Sequence, residues 1–137
     1  MKFLETNVFL RYLTRDDEAK ARACFELFRR TERGQEELTT SETIIAEVTH
    51  VLSSPRAGYR LDHEDIRARL TPILSMRGLK LEHKRMFYRA LDIYGSDPEL
   101  DFEDAMAVAH VERQGLTEIV SYDRDFDRIS GIHRTER

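Results

Sequence analysis

Residues 102–121, FEDAMAVAHVERQGLTEIVS, decide the fold class of this chain. The first part predicts a helix over 102–114, in which small and apolar residues pack closely, and Gly115 ends that helix. The second part predicts a strand over 118–121, which is rich in apolar and β-branched residues. A helix that leads directly into a strand is typical of an α/β protein, whose parallel strands are covered by helices.

The same alternation continues through the rest of the chain, which has 137 residues. This length suits a single domain over 1–137. Since strands alternate with helices, we expect a mainly parallel sheet with helices on both faces. Strands are predicted at 1–4, 38–41, 79–81, 118–121 and 132–133, and helices at 6–13, 17–33, 42–52, 62–74, 84–94 and 102–114. Asp62 is expected to cap the helix 62–74, and Gly95 to end the helix 84–94.

The composition excludes several classes of protein. Hydrophobic residues make up 40% of the chain, which is enough for a core, and no apolar run is long enough to span a bilayer. An acid at Glu5 comes too early for a secretory signal, so we expect a cytoplasmic protein without a membrane partner. The single cysteine, Cys24, excludes a disulfide framework and a zinc site built from cysteines.

Charge is distributed unevenly although the net charge is only −4. Residues 55–90 contain nine bases and four acids, whereas residues 92–127 contain eleven acids and two bases. This asymmetry is compatible with a track for a polyanion beside a pocket for a cation. Taken alone, these charge counts also fit solvated helix faces. Such faces are the more common origin of an uneven charge distribution.

Acidic residues occur where the predicted strands end. Glu5 ends the first strand, Asp123 follows the strand 118–121, and Asp101 and Asp104 lie at the start of a helix. Glu47 lies in the helix that follows the second strand, on a face that we expect to be apolar. Because sites in parallel sheets form beyond the carboxyl ends of the strands, we expect these carboxylates to converge. Asp101 has a second interpretation, as the N-cap of its helix.

Converging carboxylates need a compensating cation. Oxygen ligands without cysteine or paired histidine suit Mg²⁺ or Mn²⁺ rather than zinc. Such an ion bound to phosphate oxygens activates water and stabilises a leaving oxygen, which is the chemistry of phosphodiester hydrolysis.

Four short strings in this order resemble the PIN-domain ribonucleases, in particular the VapC-type toxins of toxin–antitoxin pairs. The resemblance covers nearly the whole chain, and each string is weak alone. The strings are Leu4-Glu5-Thr6-Asn7-Val8, Ala46-Glu47-Val48, Asp101-Phe102-Glu103-Asp104-Ala105 and Ser121-Tyr122-Asp123-Arg124-Asp125-Phe126.

The resemblance implies a three-layer α/β/α sandwich and an endoribonuclease that depends on Mg²⁺ or Mn²⁺. It assigns the catalytic acids to Glu5, Glu47, Asp104 and Asp123. Glu5, Asp104 and Asp123 would hold the metal, with Asp101 as an auxiliary ligand. Hydrogen bonds that orient the carboxylates would come from Thr6, Asn7 and Ser121.

The resemblance also implies partners. These are an RNA substrate held by bases of the 56–89 region, a VapB-type antitoxin that covers the acidic groove, and a second copy of the chain in a homodimer. The aromatic residues Phe25, Phe28, Phe87 and Tyr88 serve either that dimer contact or the core, and their helical spacing favours the core.

One position departs from the family, whose first acid is normally Asp where this chain has Glu5. The additional methylene displaces the carboxylate relative to a metal that prefers ligands at about 2.0–2.1 Å. Three explanations are open: a tolerated natural variant, a weakened enzyme, or a substitution made to attenuate a toxic product. The alternative function is a catalytically weak or inactive PIN module that binds RNA or a protein partner. A receiver domain is disfavoured, because it needs adjacent acids after its first strand.

Overall fold

Six α-helices and four short strands alternate along the chain in the computed structural model, which describes residues 1–137. Their bounds agree closely with the predicted pattern. The helices are α1 (Thr6–Thr14), α2 (Glu18–Glu32), α3 (Glu42–Ser53), α4 (His63–Leu74), α5 (Lys84–Ser96) and α6 (Phe102–Arg113). The strands are β1 (Lys2–Phe3), β2 (Leu38–Thr39), β3 (Glu118–Val120) and β4 (His133–Thr135), and a 3₁₀ helix covers Arg124–Arg128.

All strand pairs are parallel, which confirms the predicted α/β class. Lys2 of β1 is in register with Leu38 of β2, and Leu38 also forms a single parallel bridge to Leu79. In the second pair, Glu118 of β3 is in register with His133 of β4.

The strands form two separate pairs instead of one continuous sheet. The strand predicted at 79–81 is reduced to the bridge at Leu79, so this prediction was too long. The strands have two or three residues each, and Glu118 and Val120 of β3 are exposed to solvent. Since short strands bury little surface, packing of the helices determines the architecture more than the sheet does.

Side-chain caps fix where the helices begin. Asp62 accepts a hydrogen bond from the backbone N–H of Asp65 at 2.8 Å and caps α4 as predicted. Ser41 caps α3 through the N–H of Ile44 at 3.2 Å. Such a cap satisfies a backbone donor that the helix leaves free, and its loss typically costs about 1 kcal/mol.

One core of 27 buried residues joins the helices. Helix α3 contacts α1, α4 and α6, and its Ile45, Val48 and Leu52 are fully buried. Each buried aliphatic side chain of this size contributes roughly 1.5–3 kcal/mol relative to exposure. Two of the aromatic residues that were considered for a dimer contact, Phe28 and Phe87, lie in this core.

Two glycines permit close approach of the backbone to its surroundings. A Cβ at Gly78 would lie 2.1 Å from the backbone oxygen of Glu36, and a Cβ at Gly95 would lie 2.8 Å from Cδ of Arg67. Gly95 was predicted to end its helix, but α5 continues to Ser96. Gly95 therefore allows α5 to pack closely on α4.

None of the six helices is long and apolar enough to cross a membrane.

Candidate functional site

The acids predicted for the site occupy the starts of helices and turns. Glu5 caps α1, and its Oε2 accepts a hydrogen bond from the backbone N–H of Asn7 at 3.1 Å. Asp101 caps α6 through the N–H of Asp104 at 2.9 Å. Asp123 caps the 3₁₀ helix through the N–H of Asp125 at 2.9 Å. Backbone donors therefore fix one oxygen of each of these carboxylates.

Thr6, the first residue of α1, connects this helix to α3. Its hydroxyl, which is 3% exposed, donates a hydrogen bond of 2.9 Å to Oε2 of Glu47. Glu47 itself is exposed, although Ile44 and Val51 beside it on α3 are partly buried. The carboxylate extends from the helix into solvent, while the apolar side chains beside it turn toward the core.

Ser121 and Asn7 do not contact a carboxylate with their side chains. The Ser121 hydroxyl accepts a hydrogen bond of 3.0 Å from the backbone N–H of Asp123, and Asn7 contributes its backbone N–H to Glu5. Both residues shape the turn in which an acid lies. Among the three residues predicted to orient carboxylates, Thr6 makes its contact through the side chain.

Asp104 lies beside other acids at the start of α6. It is half-buried, and its pKa is raised to about 6, first because burial penalises the charged form and second because of the Asp101 carboxylate. The charges of Asp123 and Glu103 raise the pKa of Asp104 further. Four carboxylates from α6 and the turn after β3 therefore share one region of negative potential.

A groove of about 630 Å³ runs between α3 and α6. Its floor is apolar and includes Ala46, Phe102 and Met106, and Glu47 and Glu103 lie on its walls. Glu47 from α3 thus faces the same space as the acidic start of α6. The hydrogen bonds do not connect Glu5 directly to these acids, and its neighbour Thr6 provides the connection to Glu47.

Two pairs of histidine and glutamate bridge the two helices along this groove. His50 of α3 lies 2.8 Å from Glu103 of α6, and His110 of α6 lies 3.1 Å from Glu42 of α3. The distances join Nε2 of each histidine to Oε1 of its partner. Because α3 and α6 run in opposite directions, the pairs mark the two ends of the groove.

The His50 pair is part of a larger group. One potential ligand atom from each of His50, Asp101 and Glu103 lies within 4.8 Å of the other two. Of the acids predicted as metal ligands, Asp101 alone belongs to this group. Sequence reasoning did not single out His50 or Glu103, although His50 follows Glu47 by three residues on α3 and Glu103 stands inside the string 101–105.

Comparison with known families agrees with this geometry. The family model described as the PIN domain matches residues 2–132. The chain belongs to the PIN-domain family. PIN domains are generally nucleases that use divalent metal ions, so the family supports a hydrolase acting on nucleic acid. No curated protein sequence is significantly similar to this PIN domain.

Proposed function

We propose that this PIN domain is a single-domain endoribonuclease dependent on Mg²⁺ or Mn²⁺, and the toxin of a VapBC-type pair. The position of Asp104 is the observation that carries the proposal. A half-buried carboxylate beside Asp101, Glu103 and Asp123 is electrostatically unfavourable by itself and becomes favourable when a cation compensates the charges. The donors are oxygens, which fit Mg²⁺ and Mn²⁺.

In this proposal Glu5, Asp104 and Asp123 hold the ion, with Asp101 as an auxiliary ligand, and Glu47 completes the site. Bound there, the ion supplies the activation of water and the neutralisation of charge on the phosphate. Thr6 positions Glu47 through the hydrogen bond of 2.9 Å. The backbone N–H groups of the caps hold the remaining carboxylates in place and reduce the reorganisation needed on metal binding.

The basic stretch supports RNA as the substrate. Three of its nine bases form ion pairs, namely Arg67, Arg69 and Arg89, and these are ordinary solvated helix contacts. The other six form no ion pair with a carboxylate, and they are Arg56, Arg60, Arg77, Lys80, Lys84 and Arg85. The Lys84 ammonium donates hydrogen bonds to the backbone oxygens of Leu79 at 2.7 Å and Met76 at 3.4 Å, so the other five are available to phosphates, which position RNA without reading its sequence.

Lys80 occupies the most informative place among these bases. It follows Leu79, whose parallel bridge to Leu38 places it level with Lys2, so Lys80 lies level with Phe3 at the end of β1, on the other side of β2. Lys84 is nearby, because the charge of Lys80 contributes to lowering its pKa after the larger effect of burial. A phosphate that contacts Lys80 would lead the RNA toward the strand ends, where Glu5 caps α1.

Cleavage of single-stranded RNA tests the proposed activity. We expect cleavage in Mg²⁺ or Mn²⁺, none in EDTA, and none in the variant Asp104→Asn. The control is Asp127→Asn, which removes an exposed acid that pairs with Arg134 at 2.9 Å and should keep full activity. Cleavage that persists in EDTA, or an active Asp104→Asn protein, would refute the metal-dependent mechanism.

RNA binding tests the basic edge separately from cleavage. In the Asp104→Asn background, the double substitution Lys80→Gln and Arg85→Gln should weaken binding and lower the slope of log K against log salt by about 1.4. Substitution of two exposed bases of α2, Arg22 and Arg30, provides the charge-matched control. An equal effect of both double substitutions would reject a specific track.

An antitoxin and a homodimer are the remaining parts of the proposal. The apolar floor and acidic walls of the groove suit a partner that presents apolar residues and a basic side chain. Phe25, which is 45% exposed, is available for a contact between copies of the chain. Light scattering tests the dimer, and replacement of Phe25 by Ser should shift the protein to the monomer if this contact forms it.

A PIN module that binds RNA without cleaving it is the second candidate function, and Glu5 favours it. One oxygen of this longer carboxylate is committed to the N–H of Asn7, which restricts its approach to an ion. Binding of RNA without cleavage in Mg²⁺ or in Mn²⁺ would support this second function.

A further inference from the structure

We propose that His50, Asp101 and Glu103 form a binding site for a transition-metal ion such as Zn²⁺, at one end of the groove between α3 and α6. The site differs from the all-carboxylate Mg²⁺ site of the proposed function in two of its three ligands. It does not depend on nuclease activity, because its test measures metal binding alone.

The three side chains come together from two helices. His50 is in the last turns of α3, Asp101 caps α6, and Glu103 is in the first turn of α6. Asp101 gives Oδ1 to the backbone N–H of Asp104, which fixes the carboxylate and leaves Oδ2 for another partner. The ligands are therefore presented by rigid elements, as metal sites require.

The distances suit simultaneous coordination. The potential ligand atoms of the three residues lie within 4.8 Å of one another, and Nε2 of His50 lies 2.8 Å from Oε1 of Glu103. Two ligands bound to Zn²⁺ at about 2.0–2.2 Å are roughly 3.0–3.6 Å apart in tetrahedral or octahedral geometry. Small rotations of exposed side chains are enough to bring one ion into contact with all three.

The mixture of donors determines the kind of ion. An imidazole nitrogen with two carboxylates favours Zn²⁺, Ni²⁺ or Co²⁺, whereas Mg²⁺ prefers oxygen ligands. The two carboxylates neutralise the charge of a divalent ion. Three protein ligands leave room for water at the remaining coordination positions, which the adjoining groove can supply.

A second pair in the same groove distinguishes a metal site from an ordinary ion pair. His110 and Glu42 join the same two helices at 3.1 Å and are about as exposed as His50 and Glu103. No third acid joins His110 and Glu42 in a group of potential ligands. If histidine and glutamate were sufficient, both ends of the groove would bind zinc equally.

Calorimetry on the full chain tests the proposal, with ZnCl₂ as the probe and metal-free protein in a buffer that does not chelate. With excess MgCl₂ present to fill the carboxylate site of the proposed function, we expect one zinc site in the wild type and at least roughly 10-fold to 100-fold weaker zinc binding in His50→Gln. His110→Gln is the matched control and should bind as the wild type does. Circular dichroism verifies that both variants are folded, which is expected because both histidines are on the surface.

Two further measurements identify the ion and its ligand. Excess Mg²⁺ should not displace Zn²⁺ from the wild type, and Co²⁺ should give visible absorption bands that His50→Gln loses. Equal loss of zinc binding in both histidine variants would show surface histidines only and overturn the proposal. It is also overturned if neither variant changes the affinity or if Mg²⁺ displaces the zinc.

Discussion

Replacement of Asp104 by Asn should change the free energy of unfolding of the metal-free protein in a pH-dependent way. We expect the free energy of unfolding of the variant, relative to that of the wild type, to be higher at neutral pH than at acid pH. The pKa of Asp104 in the folded protein is raised to about 6, from an ordinary value of 3.8, by burial and then by the charge of Asp101. Between these two values the folded state binds more protons than the unfolded state. The stability of the wild type must therefore fall as the pH rises through this interval, and Asn removes that dependence.

The magnitude follows from the pKa of Asp104. A rise from 3.8 to about 6 corresponds to at most roughly 3 kcal/mol, at about 1.4 kcal/mol for each pKa unit. The carboxylate is only half-buried, so solvent screens much of the repulsion, and about 1 kcal/mol is the realistic expectation. In a domain of this size this is a change in Tm of about 3–5 °C.

Urea unfolding at pH 4 and at pH 7.5, with EDTA present, measures the effect. The stability of Asp104→Asn relative to the wild type should increase by about 1 kcal/mol between the two pH values. Comparison of the two pH values cancels any loss of contacts that is independent of protonation. Addition of Mg²⁺ at about ten times its Kd should stabilise the wild type by about 1.4 kcal/mol and the variant much less.

Asp127→Asn is the control for this experiment. Its hydrogen bond with Arg134 lowers the pKa of Asp127, so this carboxylate favours the folded state above its unfolded pKa and the benefit is lost as the pH falls. Because this loss begins only near the ordinary pKa of 3.8, below both pH values of the experiment, the control should change little between pH 4 and pH 7.5. A stability difference between Asp104→Asn and the wild type that does not depend on pH, or one that shifts in favour of the wild type from pH 4 to pH 7.5, would refute the reasoning.

Three further substitutions test the site and the fold. Glu5→Asp should raise the initial rate of Mg²⁺-dependent RNA cleavage, because the longer Glu5 side chain misplaces its carboxylate. A misplacement of about 1 Å corresponds to an increase of up to about 100-fold. An equal or lower rate would reject the explanation that Glu5 weakens the enzyme. Thr6→Val should lower kcat about tenfold, because the Thr6 hydroxyl positions the Glu47 carboxylate. Thr6→Ser keeps the hydroxyl and should keep the wild-type kcat. Equal kcat values for the two variants would argue against a positioning role of Thr6. Gly78→Ala should lower the free energy of unfolding in urea by about 3 kcal/mol, because the new Cβ would lie 2.1 Å from a backbone oxygen. Gly58→Ala is the control, because an added Cβ there would have no atom within 4 Å. This substitution should lower the free energy of unfolding by only about 1 kcal/mol, which is the cost of the positive φ.

The helices could be predicted because their signals are local. An acid such as Asp62 or Asp101 before an apolar periodic segment identifies the cap, and both residues make the predicted contact. Gly95 shows the limit of this reasoning. A glycine near the end of a helix usually marks its terminus, but here the close approach of Arg67 from α4 explains the residue, and only the packed structure contains that information.

The strands were less predictable than the helices. A strand is stabilised by its neighbours, so the apolar residues 79–81 could not reveal that only Leu79 would pair. The separation of β3 and β4 from β1 and β2 is likewise a property of the whole arrangement. The parallel direction of every pair did follow from the alternation of helices and strands, because parallel strands need long connections.

The sequence by itself determined the family, the α/β class and the identity of the acids from which a metal site is proposed. These features depend on residue types, their order and their local spacing. Only the tertiary structure decided which side chains meet: Thr6 bonds to Glu47, Asp104 lies among other carboxylates, and His50 joins Asp101 and Glu103 across two helices. Contacts between residues far apart in the chain depend on helix packing, for which a single sequence carries no local signal.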